Sequence, residues 1–230
     1  MPLVFLTQNK STGAKMEHYI KFYAPVTSNT AIQLQQTVEQ LLRQGLTKLH
    51  LLLSTPGGSV HDGISLYNFL KELPIEVCTY NFGSVDSIGV VLFCAGNQRF
   101  SVQNARFLLH PVAMQVFSNQ TFDEPGIEEK INALRADQKN IANVISETTG
   151  KSVEEILEFI HKRTTFDPDA ACDMRLVTEI KQSLVPAGAN LTSIYEPPIQ
   201  QQQVFFPMRG FTDIGQQNYS TITQSFSRIS

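Results

Sequence analysis

Tryptophan is absent from the 230 residues, cysteine occurs only three times, and neither sign of charge dominates. Each scarcity excludes something. Cys78, Cys94 and Cys172 are too few and too scattered for a disulfide framework or a zinc spacing; set among apolar neighbours, they read as buried, reduced thiols. A formal charge of −3 gives no electrostatic case for nucleic acid or an anionic membrane as partner, and Lys10, Lys15, Lys21, Lys48 and Lys71 are dispersed rather than clustered. The longest strongly apolar run, Ile88 to Ala95, is far too short to cross a bilayer. Met1 to Lys15 holds one five-residue apolar stretch with no basic region before it, so no secretory signal is expected and a cytoplasmic location is. No Asp/Glu/His/Cys cluster has metal-ligand spacing, and no Gly-Lys-Ser/Thr follows Gly57-Gly58 to make a phosphate-binding loop. Neither a metal nor a cofactor is expected.

What is present is an ordinary globular composition, 42% apolar and 17% charged, in a chain long enough to bury a sizeable core. Its middle alternates strand-like and helix-like segments. Thr30 to Gln44 has helical spacing, with Ser28 or Asn29 available as cap and Gly45 as stop. The apolar run Lys48 to Leu53, stopped by Pro56-Gly57-Gly58, reads as a strand buried on both faces. A helix through Ile64 to Leu70, a strand from Ile75 to Tyr80 and an internal apolar helix over 86–96 follow, then short strands at Arg99 to Val102 and Arg106 to His110. This pattern predicts an α/β domain with a largely parallel sheet. Ile127, Ile131, Leu134, Ile141, Val144 and Ile145 then mark one long amphipathic helix over 124–148. Ser152-Val153-Glu154-Glu155 opens another with a capping-box pattern. Residues 186–230, rich in Pro, Gln, Ser and Thr, read as a tail, interrupted by an apolar patch, Val204 to Met208, suited to docking.

Three segments carry chemistry. Thr55-Pro56-Gly57-Gly58 supplies backbone N–H groups unobstructed by side chains. Ser87 follows within Gly83-Ser84-Val85-Asp86-Ser87-Ile88-Gly89, and His110 closes the run Arg106 to Pro111. Backbone donors, a hydroxyl and an imidazole in this order are what an acyl-transfer site needs. Taken singly, each has a plainer reading: Ser87 as a helix N-cap, Gly57-Gly58 as a turn, His110 as a core histidine at a strand end. His18, His50, His61 and His161 are weaker base candidates, and Glu128-Glu129 and Glu154-Glu155 lie on solvated helix faces.

Together these segments resemble the proteolytic subunit of the Clp protease family over about 135 residues, Leu46 to Ile180. Ser54 to Val60 is similar to that family's Ser-Pro-Gly-Gly-Ser-Val loop. Gly83 to Gly89 resembles the surroundings of its nucleophile, and Leu108-Leu109-His110-Pro111 its Met-Ile-His-Gln-Pro. The helix over 126–148 resembles the handle by which two rings interlock, and Met174 to Ile180 the family's closing strand. The resemblance implies a ClpP/crotonase-type α/β fold of stacked ββα turns: a head (1–123), a handle helix (124–148) and a closing segment (149–185). It implies a serine endopeptidase in a ring-shaped homo-oligomer, acting on peptides or unfolded proteins, with Ser87 as nucleophile, His110 as base and the Gly58 and Ile88 N–H groups binding the oxyanion. The family's third residue, an aspartate, falls where this chain has Arg163 or Thr164. Asp167 is the nearest carboxylate to orient His110, with a backbone carbonyl or Thr164 as substitutes. Asp86, where the family has a small apolar residue, is a second departure. The short N-terminal segment lacks the family's axial-loop region, which counts against docking to an AAA+ unfoldase. A catalytically silent scaffold subunit and a crotonase-like acyl-CoA enzyme are the competing readings.

Overall fold

The computed structural model describes residues 15–114 and 120–196. The expected docking patch at Val204 to Met208 lies outside them. Strand β1 (Met16–Tyr23) leads to helix α1 (Ser28–Arg43), β2 (Leu46–Thr55), α2 (Val60–Lys71), β3 (Glu76–Asp86), α3 (Ile88–Phe93), β4 (Gln98–Ser101) and β5 (Arg106–Leu108). Then come the long α4 (Glu124–Thr149), α5 (Val153–His161), β6 (Thr165–Phe166), α6 (Pro168–Asp173), β7 (Glu179–Ile180) and β8 (Leu191–Tyr195). The sheet runs β6-β5-β3-β2-β1-β8, with β4 branching from the first half of β3 and β7 beside it. All its pairings are parallel except β5 with β6.

Parallel strands covered on both faces read as continuous apolar runs, and β2 shows why. Leu49, Leu51 and Leu53 point into one cluster with Ile20, Phe22, Val77 and the inner faces of all six helices. Leu52 points the other way, into a smaller cluster with Tyr19, Cys78, Tyr80 and Phe100, against which Leu184, Val185 and Ala189 pack. Fully burying each such leucine stabilises the fold by about 1.5–3 kcal/mol. Burial also pushes the Cys78 and Cys94 thiols up to about 11, so these free cysteines stay protonated and inert near neutrality.

Helix ends follow their sequence signals, with two shifts: the α1 cap is Thr27, in a reciprocal box with Thr30, rather than Ser28 or Asn29, and α3 is shorter than the expected 86–96 because Asp86 closes β3. Asp123 caps α4 through the Gly126 N–H, and Gly150 ends it in the left-handed region at φ 75°. The closing segment is shorter as a strand than expected. Only Glu179 and Ile180 pair; Arg99 docks the residues before them, donating from Nε to the Leu176 carbonyl (2.8 Å) and from a terminal nitrogen to that of Arg175 (3.1 Å). Strand β8 lies beyond the expected boundary at 185/186 and adds to the sheet beside β1 over five residue pairs. No described helix is long and apolar enough to cross a membrane.

Candidate active site

At the carboxyl end of β3 the chain turns into α3 through Ser87, whose φ of 57° and ψ of −128° place a non-glycine residue in the left-handed half of the map. Such strain at a strand-to-helix turn presents a nucleophile. A capping serine would instead have extended backbone and bond the first helical turn. Ser87 makes no side-chain cap hydrogen bond, so its hydroxyl is not committed to holding the helix.

The Pro56-Gly57-Gly58 turn packs directly against this serine. Both glycines have positive φ, 88° and 147°. A Cβ on Gly57 would stand 2.7 Å from the Ser87 Cβ, and one on Gly58 2.2 Å from the Val26 carbonyl oxygen. The turn is pinned on both sides of Gly58: the Val26 N–H donates to Gly57 O and the Ser59 N–H to Val26 O, each at 2.8 Å. The Gly58 N–H itself makes no hydrogen bond among the described residues. Neither does the Ile88 N–H, which as the first of its helix has no intrahelical partner. One unpaired donor thus follows Ser87 directly, and the other lies next to Gly57, the residue that packs on Ser87.

His110 lies two residues past the end of β5, which stops at Leu108 rather than continuing to His110 as expected. Strand β5 pairs with β3 through Ser84 with Arg106, Val85 with Phe107 and Asp86 with Leu108, and the Ser87 N–H donates to the Leu108 carbonyl at 2.8 Å. The base candidate is therefore two residues beyond a direct backbone contact with Ser87. No hydrogen bond joins the Ser87 hydroxyl to the imidazole in the described structure; catalytic hydrogen bonds are often long before substrate binds. The His110 Nδ1 lies 2.9 Å from the Pro111 carbonyl oxygen. A carbonyl can only accept, so this contact assigns the donor role to Nδ1 and, in the neutral ring, leaves the lone pair that a base requires on Nε2.

The structure does not bring Asp167 to His110. The antiparallel register pairs Phe107 with Phe166 and Leu108 with Thr165, and the Leu109 N–H donates to the Thr164 carbonyl at 2.9 Å. Along this ladder His110 is level with residue 163, while Asp167 is level with Arg106, four residues or roughly 13 Å away at about 3.3 Å per residue. Asp167 instead caps α6, accepting from the Ala170 N–H at 2.8 Å. The slot nearest the imidazole holds Thr164, whose hydroxyl donates to the Phe159 carbonyl at 2.9 Å, and Arg163 at a left-handed φ of 53°.

Asp86, the other departure, is resolved by a partner that sequence reading missed. Its side chain is largely buried, and its Oδ2 accepts from an Arg106 terminal nitrogen at 2.9 Å. Strand alternation was the available signal: residues 84 and 86 share a face of β3, and residue 106 sits opposite 84. His50 has a structural role. Its ring stacks on Tyr19 at 4.1 Å and lies within hydrogen-bond reach of the Tyr80 hydroxyl and Glu17. Burial holds its pKa below the usual histidine value despite the Glu17 carboxylate. No group of three or more potential metal ligands occurs among the described residues.

A family model described as Clp protease matches residues 8–183. The chain belongs to the Clp protease family. It is 29% identical to the ATP-dependent Clp protease proteolytic subunit 3 of Streptomyces coelicolor over 140 residues, 60% of this chain and 63% of that one. With the ATP-dependent Clp protease proteolytic subunit 1 of Leifsonia xyli subsp. xyli it shares 28% identity over 148 residues, 63% of this chain and 73% of that one. The match to the Streptomyces subunit thus spans less than two thirds of that relative's length. The solved structure of a ClpP1 point mutant from Listeria monocytogenes superposes with a TM-score of 0.65 at 21% identity, over 72% of this chain and 92% of that chain. The α/β architecture with its long handle helix is therefore the Clp protease fold.

Proposed function

We propose that this Clp-family chain is a serine peptidase working through a Ser87–His110 dyad. The observation that carries the reading is the left-handed Ser87 at the β3–α3 turn, packed on Gly57 and free of any capping bond. Ser87 Oγ attacks the scissile carbonyl carbon while His110 Nε2 takes the hydroxyl proton. The carbonyl oxygen becomes an oxyanion held by the Gly58 and Ile88 N–H groups. His110 then returns the proton to the departing amine, and water reverses the sequence to release the acyl group. The role expected of Asp167, orienting the imidazole, passes to the Pro111 carbonyl. A carbonyl fixes the tautomer but carries no full charge to stabilise the imidazolium, so acylation is slower than in a full triad. Neutralising the aspartate of a well-studied triad costs about 10⁴-fold. The substrate is a peptide or an unfolded protein chain, reached inside a homo-oligomer of rings joined through the handle.

A fluorophosphonate probe with mass-spectrometric location of the adduct tests this. Labelling at Ser87, lost in Ser87→Ala with the fold intact, is the expected result. An adduct on Ser84 or Ser59 would identify a different nucleophile. The missing carboxylate favours one second reading, a catalytically silent ring subunit, and complete absence of labelling would support it.

A further inference from the structure

Acyl transfer requires Ser87 and His110 to stay in register, yet little backbone holds them there. Strand β5 joins β3 through three parallel residue pairs and β6 through two antiparallel ones. Parallel ladders are slightly the weaker kind per residue. Phe107 in β5 and Leu109 just after it are buried, which fixes the face the segment presents. Face alone does not fix position along the strand, because a two-residue slip preserves it. Such a slip would carry His110 roughly 6.6 Å past Ser87, beyond any proton transfer.

Two side-chain contacts distinguish the registers: the buried Asn81 amide donates to the Arg106 carbonyl at 2.8 Å, and an ion pair forms beside the nucleophile. Asp86, immediately before the nucleophile, accepts from Arg106, four residues before the base, at 2.9 Å. The two are diagonal neighbours on one sheet face, since Ser84 pairs with Arg106 and Asp86 with Leu108; this separation suits a long side chain reaching a short one. The geometry is selective because the carboxylate depends on it. The Asp86 side chain is 10% exposed, and its Oδ1 has no partner among the described residues. A slipped strand would leave a buried carboxylate unpaired, which is strongly unfavourable. The pair also places a cation against the anion beside the developing oxyanion. A cavity of about 330 Å³ lined by Tyr23, Ser54, Ser84, Asp86 and Arg106 opens at the pair, so its outer side is not filled by neighbouring core.

From this we infer that the Asp86–Arg106 ion pair is a positioning device, locking the nucleophile strand to the base strand; the inference rests on the dyad reading above. In this reading the two residues act through backbone alignment and not by contact with substrate. They act on the chemistry by holding Ser87 and His110 in line, and misplacement of about 1 Å is enough to cost on the order of 100-fold in rate.

The test compares the full-length wild type with Asp86→Asn, Arg106→Gln, their double variant and Arg106→Lys. For each, the maximal acylation rate and half-saturating concentration of a serine-directed probe are measured, together with amide exchange at Ser87 and Leu109. Asp86→Asn, Arg106→Gln and the double variant should lose roughly 10–100-fold in maximal rate, with half-saturation nearly unchanged because probe binding does not require alignment. The double variant should be no worse than the worse single one, since both remove one interaction, and Arg106→Lys should retain more rate than Arg106→Gln. Exchange at Ser87 and Leu109, the amides that join β3 to β5 and β5 to β6, should quicken in the same order. The double variant leaves no buried unpaired charge, so it keeps the test open if a single variant misfolds. A double variant that acylates at the wild-type rate, or a lost rate with unchanged exchange, would overturn the lock. If the wild type itself never acylates at Ser87, the peptidase reading fails instead, and exchange still decides whether the pair holds the strands together.

Discussion

Individual residues in this site are set by what surrounds them more than by type. Ser87 is one serine among several, distinguished by its backbone angles and the glycine against it. Asp167 makes the same point in reverse. Asp167 is the carboxylate closest in sequence to the family's slot, but the β5–β6 register carries it away from His110, and it is spent as a helix cap. Asp167→Ala should therefore cost about 0.5–2 kcal/mol of stability as a lost cap while leaving the acylation rate per folded molecule unchanged. Arg163→Asp should raise acylation, because residue 163 is the one that the β5–β6 register sets level with His110, and Asp tolerates its left-handed backbone. Stopped-flow acylation and thermal melts of both variants check the pair. A large rate loss in Asp167→Ala would restore the triad expectation. That Ser87, Ile88 and Gly58 lie at strand-to-helix turns was legible in sequence, because strand–turn–helix punctuation is local. Asp167's failure to reach His110 was not, because antiparallel register is a non-local fact.

Elements show the same division between local and distant causes. The caps and apolar spacing of α4 mark its limits to within a residue or two, since both signals lie in the helix itself. What the helix does with its stripe is not local. Its C-terminal half is docked, with Ile141, Ala142 and Ile145 buried in the main core. Its N-terminal half is not: Ile127 is 50% exposed and Ile131 41%. With Met114, Phe122 and Leu134 these line an apolar depression of about 170 Å³. A charge at Ile141 would thus disrupt the fold, whereas charges at Ile131 and Leu134 address assembly. Sedimentation velocity should show the Ile131→Glu/Leu134→Glu variant shifted to smaller species with unchanged helical circular dichroism. A wild type that is already monomeric would remove the ring from the proposal.

The whole molecule depends on pairings between segments far apart in the chain, and these were the least legible. Strand β1 has no unbroken apolar run, and its outer partner β8 is about 170 residues distant and lies where composition alone reads as tail. Two short polar-flanked segments look unremarkable until they meet. Together they close the sheet on that side: β8 covers β1 over five residue pairs, Ile194 inserts into the main core at 3% exposure, and His18 Nε2 meets the Thr192 hydroxyl at 2.8 Å. A chain ending at residue 185 loses all three and leaves the β1 edge uncovered, with unpaired N–H and C=O groups that invite other chains. Losing the Ile194 contribution alone is worth about 1.5–3 kcal/mol, and in a domain of this size each kcal/mol moves the melting temperature by about 2–4 °C. The 1–185 chain should therefore melt several degrees lower than the full chain and aggregate on heating. Ile194→Ala, which keeps the edge covered, should lower the melting temperature without the aggregation. Differential scanning calorimetry with light scattering on the three proteins separates the two effects. A 1–185 chain that melts with the full-length protein would show that β8 is an ornament on the sheet and that the domain ends where composition first suggests.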